Sequence, residues 1–115
     1  MTEFENLWQC ERGFWLEGKP HYACFLARDA RMVFPDPAGF LDADQIVRGL
    51  EGVPRWESVA FEAQHATGLN DTIVLCYRAT GLRTGSNPYR VLCSSTYVLD
   101  GEIWKLLMHH HTPCD

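Results

Sequence analysis

The strongest constraint on this chain is Asp100-Gly101, set between two long segments with strand character, Tyr89 to Leu99 and Glu102 to His111. Asp-Gly supplies the positive φ angles of a two-residue hairpin, so the two segments must lie side by side and antiparallel. Two further segments precede them. Trp56 to Ala66 carries Val59 and Phe61 on one face and Glu62 and Gln64 on the other. Gly68-Leu69-Asn70-Asp71 turns it into Thr72 to Leu82, and Thr84-Gly85-Ser86-Asn87 turns that segment into Tyr89 to Leu99. Four long strands joined by short turns cannot close a core alone and need a layer to pack against.

The first half of the chain supplies that layer. Thr2 and Glu5 have capping-box spacing, and Phe4, Leu7, Trp8, Glu11, Phe14 and Trp15 recur at three and four residues. Such spacing forms one face of a helix. Gly18 ends it, and Pro20 opens a second, short helix with Tyr22, Phe25 and Leu26 facing inward. Arg31 to Phe34 reads as a strand, stopped by Pro35-Asp36-Pro37-Ala38-Gly39. Asp42 and Gln45 cap a third helix, whose apolar side is Ile46, Val47 and Leu50. The expectation is an α+β domain spanning 1–115, with helices on one face of an antiparallel sheet.

With 46% hydrophobic and 12% aromatic residues, a chain of 115 builds a core without metal or disulfide help. A net charge of −5 argues against a nucleic-acid groove, and no apolar run is long enough to span a bilayer. The five cysteines (Cys10, Cys24, Cys76, Cys93, Cys114) show no CxxC spacing, so they read as reduced thiols of a cytoplasmic protein. Cys114, next to the C-terminus, is the thiol expected to be exposed.

Asp29-Ala30-Arg31-Met32-Val33-Phe34-Pro35 resembles the first-strand motif of the ketosteroid-isomerase-like and SnoaL-like superfamily, also called nuclear transport factor 2-like. Asp100 to Leu106, continuing through His109-His110-His111-Thr112-Pro113, resembles its last strand. Arg55-Trp56 and Tyr77-Arg78-Ala79-Thr80 are similar to segments of small bacterial members. The resemblance covers nearly the whole chain. It implies a cone-shaped curved sheet wrapped around the N-terminal helices, an apolar pocket at the open end, and homodimers formed through the outer sheet face. It does not carry steroid isomerisation over, since function does not follow fold. Phe34 stands where those isomerases place their general-base Asp, and Asp36 follows the proline. Their oxyanion Tyr falls at or next to Glu11, and their second oxyanion acid near Ser95.

Glu11 is the most informative residue. A carboxylate within a stripe of Leu7, Trp8, Phe14 and Trp15 is costly to bury when charged and alone. Either it pairs with Arg31 or Arg78 or sits at the rim, or its pKa is raised and it serves as a general acid or base. In the triple histidine, alternate side chains of a strand face opposite ways. His109 and His111 share a face with Lys105, which places them outside. His110 shares a face with Trp104, Leu106 and Met108, which places it in the pocket as the partner of Glu11. A His109/His111 metal pair lacks a third ligand, so no metal is expected, and no cofactor motif is present. Trp8, Trp15, Phe34, Trp56, Tyr77, Ser95 and Tyr97 complete the expected lining, aromatic with a few polar tips. Two readings stay open: a binding module for a small hydrophobic ligand, and a cofactor-free acid–base enzyme run by Glu11 and His110.

Overall fold

The computed structural model describes residues 2–115. Helix α1 covers Glu3–Leu16, α2 Lys19–Phe25 and α3 Ala43–Arg48. The strands are β1 (Leu26–Val33), β2 (Phe40–Asp42), β3 (Ser58–Leu69), β4 (Thr72–Leu82), β5 (Tyr89–Asp100) and β6 (Ile103–Pro113). They form one curved, open six-stranded sheet in the order β2-β1-β6-β5-β4-β3. Three helices and five strands occupy the segments assigned from sequence, although β1 begins at Leu26 and not at Arg31. The short β2, hidden between a turn and a helix cap, was not legible. The sheet is also mixed rather than wholly antiparallel, because β1 runs parallel to β6, with Met32 opposite His109 and Val33 opposite His110.

Local chemistry fixes the ends of the elements. Thr2 Oγ1 accepts from the Glu5 N–H at 3.1 Å. Asp42 and Gln45 complete a reciprocal capping box, each bond 2.9 Å. Gly101 adopts φ +65 as the first residue of a two-residue turn, Gly101-Glu102, while Asp100 ends β5 paired with Ile103, so the turn lies one position later than Asp100-Gly101 would set it. The buried residues of α1 are Leu7, Glu11, Phe14 and Trp15, the inner part of the predicted stripe. They meet the concave face of the sheet, where Leu75, Val91, Tyr97 and Leu106 are fully buried. Each such apolar side chain contributes about 1.5–3 kcal/mol relative to exposure.

Two irregularities bend the long strands. Ala63, at φ +51, sits where the β3–β4 register shifts between Glu62 and His65. In β6 the register with β5 passes from Leu106 opposite Tyr97 to Met108 opposite Thr96, which leaves Leu107 as an extra residue. A bulge of this kind inverts the phase of everything after it. Val74, Cys76 and Arg78 of β4 and Arg90, Leu92, Ser94 and Thr96 of β5 alternate with buried neighbours and face outward, as do Ile103 and Lys105. Beyond Leu107 the sequence-based phase is reversed: His109 and His111 turn inward and His110 turns outward. Among the described residues no helix is long and apolar enough to cross a membrane.

Candidate functional site

Glu11 is the centre of the site and has no exposed surface. One of its oxygens, Oε2, accepts from the hydroxyls of Tyr77 and Ser95, and Oε1 accepts from Tyr97 at 2.6 Å. Tyr77 in turn accepts from Trp15 Nε1 at 3.1 Å. Neither Arg31 nor Arg78 reaches it; both lie exposed on the far side of their strands. Burial by itself would raise the Glu11 pKa. The hydrogen bond and charge of His109, together with the Ser95 and Tyr77 hydroxyls, outweigh burial and hold it below the usual carboxylate range. The raised pKa expected of a lone buried acid is therefore not found. Three hydroxyls from two strands replace the arginine partner. The same packing pushes Tyr77 and Tyr97 well above 10, through burial first and then the neighbouring carboxylate.

A polar chain leaves Glu11 through Ser95. Ser95 Oγ lies 2.6 Å from His109 Nδ1, which is itself 3.3 Å from Glu11 Oε2. His109 Nε2 faces His111 Nε2 at 2.6 Å, and His111 Nδ1 meets the Tyr89 hydroxyl at 3.1 Å. The ionised carboxylate only accepts, so Ser95 spends its proton on Glu11 and must accept from His109 Nδ1–H. When His109 is neutral its Nε2 accepts from His111, whose Nδ1 accepts from Tyr89; when His109 is protonated its Nε2 donates to His111 instead. Burial, and then the charges of His109 and His110, push His111 down to about 2.

The chain ends in an open cavity of about 600 Å³ bordered by α1, α2, α3, the turn after β1, the segment before β3, Arg83 beyond β4, and the ends of β5 and β6. Trp15, Phe34 and Trp56 line it, as do His109, His111 and Tyr89. Trp56 stacks on Tyr89 with centroids 5.3 Å apart and planes 10° apart, and Trp15 stacks on His111 at 4.9 Å. Trp56 also rests against Gly81, where any Cβ would lie 2.9 Å from the indole. Two guanidinium groups complete the wall. Arg55 donates to Phe14 O at 2.6 Å and to the Tyr22 hydroxyl at 3.2 Å. Arg83 lies 3.8 Å over the Trp56 ring, and its buried Nε has no hydrogen-bond partner among the described residues.

Several expected positions are corrected by this geometry. His110 lies on the outer sheet face beside Thr112, 3.5 Å from its hydroxyl, because the Leu107 bulge reverses the strand phase. Trp8 packs edge-on against Tyr77 at 5.4 Å and does not line the cavity. Glu11, Tyr77, Ser95 and Tyr97 form a layer behind the cavity floor rather than its lining. His109, His111, Tyr89, Arg55 and Arg83 were missed. The one signal that could have found the histidines is the run Leu106-Leu107-Met108, which breaks strand alternation. Cys93 lies directly across from His111, and its thiol and the two imidazoles place their donor atoms within 4.8 Å of one another. Cys114 is half-buried, while Cys24 and Cys76 are the exposed thiols.

No protein-family model matches the chain, and no curated protein does. Solved structures do. The chain is similar to a nuclear transport factor 2-like protein from Cytophaga hutchinsonii, with TM-score 0.83 and 14% identity over 99% of this chain and 100% of that one. It is similar to a nuclear transport factor 2-like protein of unknown function in nutrient uptake from Rhodospirillum rubrum, with TM-score 0.82 and 16% identity over 99% and 100%. The association domain of CaMKII from C. elegans superposes with TM-score 0.76 and 10% identity over 95% of this chain and 91% of that one. The chain has the nuclear transport factor 2-like fold, as the sequence motifs implied.

Proposed function

We propose that this protein binds a small, mostly apolar molecule carrying one anionic group. The observation that carries this reading is the cavity itself: aromatic walls from Trp15, Phe34 and Trp56 surround convergent polar tips from Arg83, Tyr89 and His109. Ligand sites are concave and mainly apolar, with a few placed polar groups that fix orientation. Arg83, unpaired at Nε and flat on Trp56, suits a carboxylate or sulfonate on a ring that extends the stack. The test uses 1-anilinonaphthalene-8-sulfonate, an aromatic sulfonate, with the folded protein. Saturable 1:1 binding, weakened about tenfold by Trp56→Ala and by Arg83→Gln, is the expected result. Absence of binding, or binding indifferent to both substitutions, overturns it.

A second reading, a proton-transferring enzyme, is favoured by the chain from Glu11 through Ser95 to His109, which opens into the cavity. A carboxylate that orients an imidazole is a common general-base device. Glu11 would then act with His109, in place of His110. Under this reading His109→Gln abolishes an established turnover while His110→Ala leaves it intact.

The outer sheet face fits a second copy of the chain. Leu92 and Ile103 are 45% and 48% exposed there, among Arg90, Thr96 and Lys105. One structural neighbour is named as an association domain. Sedimentation at pH 7.5 should give a dimer that Leu92→Glu dissociates; a wild-type monomer at tens of micromolar refutes it. Five unpaired thiols fit a reducing compartment such as the cytoplasm.

A further inference from the structure

We infer that Cys93, His109 and His111 form a binding site for a divalent transition-metal ion of the zinc class, at the floor of the cavity. The sheet register builds the site. His109 and His111 share the inner face of β6, and Cys93 is the cross-strand partner of His111 on β5. All three are buried, and their donor atoms lie within 4.8 Å of one another.

Orientation is the stronger argument. Each imidazole is gripped at Nδ1, His109 by Ser95 and Glu11, His111 by Tyr89. Their Nε2 atoms are thereby aimed at one point, 2.6 Å apart. Ligating histidines are held in this way, the far nitrogen fixed by a carboxylate, hydroxyl or carbonyl so that the near one meets the metal. Two nitrogens at metal–nitrogen distances of about 2.0–2.1 Å in a tetrahedral site stand about 3.3 Å apart. Rotations that move the rings by less than an ångström open that gap. A thiolate with two imidazoles suits Zn²⁺ and Co²⁺, and does not suit Mg²⁺ or Ca²⁺.

Charge gives an independent reason. Glu11 is a fully buried carboxylate whose close hydroxyl partners are neutral, and among the described residues His109 alone forms an ion-pair contact with it. Burying that charge is offset only by positive charge on the imidazole or on an ion the imidazole holds. A divalent ion with the Cys93 thiolate carries +1, and Glu11 brings the cluster to zero. The protons balance as well. Cys93 releases its S–H proton to solvent as the S–metal bond forms. The His111 proton moves from Nε2 to Nδ1, and the Tyr89 hydroxyl turns to accept it. Because both histidines line the cavity, the fourth coordination position faces whatever the cavity holds.

Full-length protein stripped with a chelator and titrated with Co²⁺ tests this directly. One equivalent should bind with a dissociation constant below about 1 μM, giving tetrahedral d–d absorption and a thiolate-to-cobalt charge-transfer band, and Zn²⁺ should displace it. Cys93→Ala should remove the charge-transfer band and weaken binding about 100-fold, and Ser95→Ala, a positioning change, about tenfold. His110→Ala, on the outer face, should change nothing. If Cys93→Ala does not fold, the wild-type titration and His109→Gln still decide. Failure of folded wild-type protein to take up one equivalent, or binding unaffected by His109→Gln, overturns the site. Neither result bears on 1-anilinonaphthalene-8-sulfonate binding, so the cavity reading stands or falls separately.

Discussion

Replacing Glu11 by Gln keeps the size of the side chain and removes its charge, which isolates what the carboxylate does for the fold. The wild-type carboxylate accepts from Tyr77, Ser95 and Tyr97. Tyr77 and Ser95 already use their own oxygens to accept from Trp15 and His109, so neither can reverse direction without orphaning a donor. The least costly amide orientation therefore points the carbonyl at Tyr77 and Ser95 and the NH₂ at Tyr97. Tyr97 then accepts and its own proton is stranded in a site with no water access. One lost charge-assisted bond is worth about 2 kcal/mol and two weakened ones about 1 kcal/mol each. Relief of a buried charge returns about 1–2 kcal/mol. The expected loss is about 2–3 kcal/mol, or a Tm about 8–12 °C lower for a chain of this length. The decisive assay is a double-mutant cycle with Tyr97→Phe in urea, followed by far-UV circular dichroism at pH 7.5. Tyr97→Phe should cost about 2 kcal/mol in the wild-type background and close to nothing in Glu11→Gln. Additivity within about 0.3 kcal/mol would refute the shared network.

Gly81→Ala places a Cβ 2.9 Å from Trp56, so the indole must shift off Tyr89; the expected cost is about 1–3 kcal/mol with altered tryptophan fluorescence, and an unchanged variant would mean that Trp56 is not held. Gly13→Ala gains about 1 kcal/mol of helix propensity yet meets the His21 ring at 2.3 Å. His21 is hemmed in by Phe14 and Phe25, so net destabilisation on a urea curve is expected; a gain would show that the ring moves freely. With an aromatic disulfide reagent, Cys24 should react at once, Cys76 once the outer sheet face is free of a second copy, and Cys114 more slowly. Cys10, which burial pushes up to about 12, and buried Cys93 should wait for unfolding. Fast reaction of more than three thiols would contradict the packing.

The sequence by itself determined the elements and most of their faces. Hairpin chemistry at Asp100-Gly101, the Asp42–Gln45 cap and the stripe from Leu7 to Trp15 are local signals, set by backbone and side-chain preferences within a few residues. They were enough to place α1 inside the sheet and to mark Glu11 as an acid in an apolar face. Two decisions were made only by the assembled fold. The parallel pairing of β1 with β6 joins residues 77 to 80 positions apart and leaves no local trace. The extra residue at Leu107 is a mismatch between two strands, visible only when both are laid side by side. That single residue sent His110 out and brought His109 and His111 in, the reverse of the faces that strict alternation from the turn assigns. Strand phase propagates perfectly from a fixed turn until one residue fails to pair, and pairing is a property of tertiary structure.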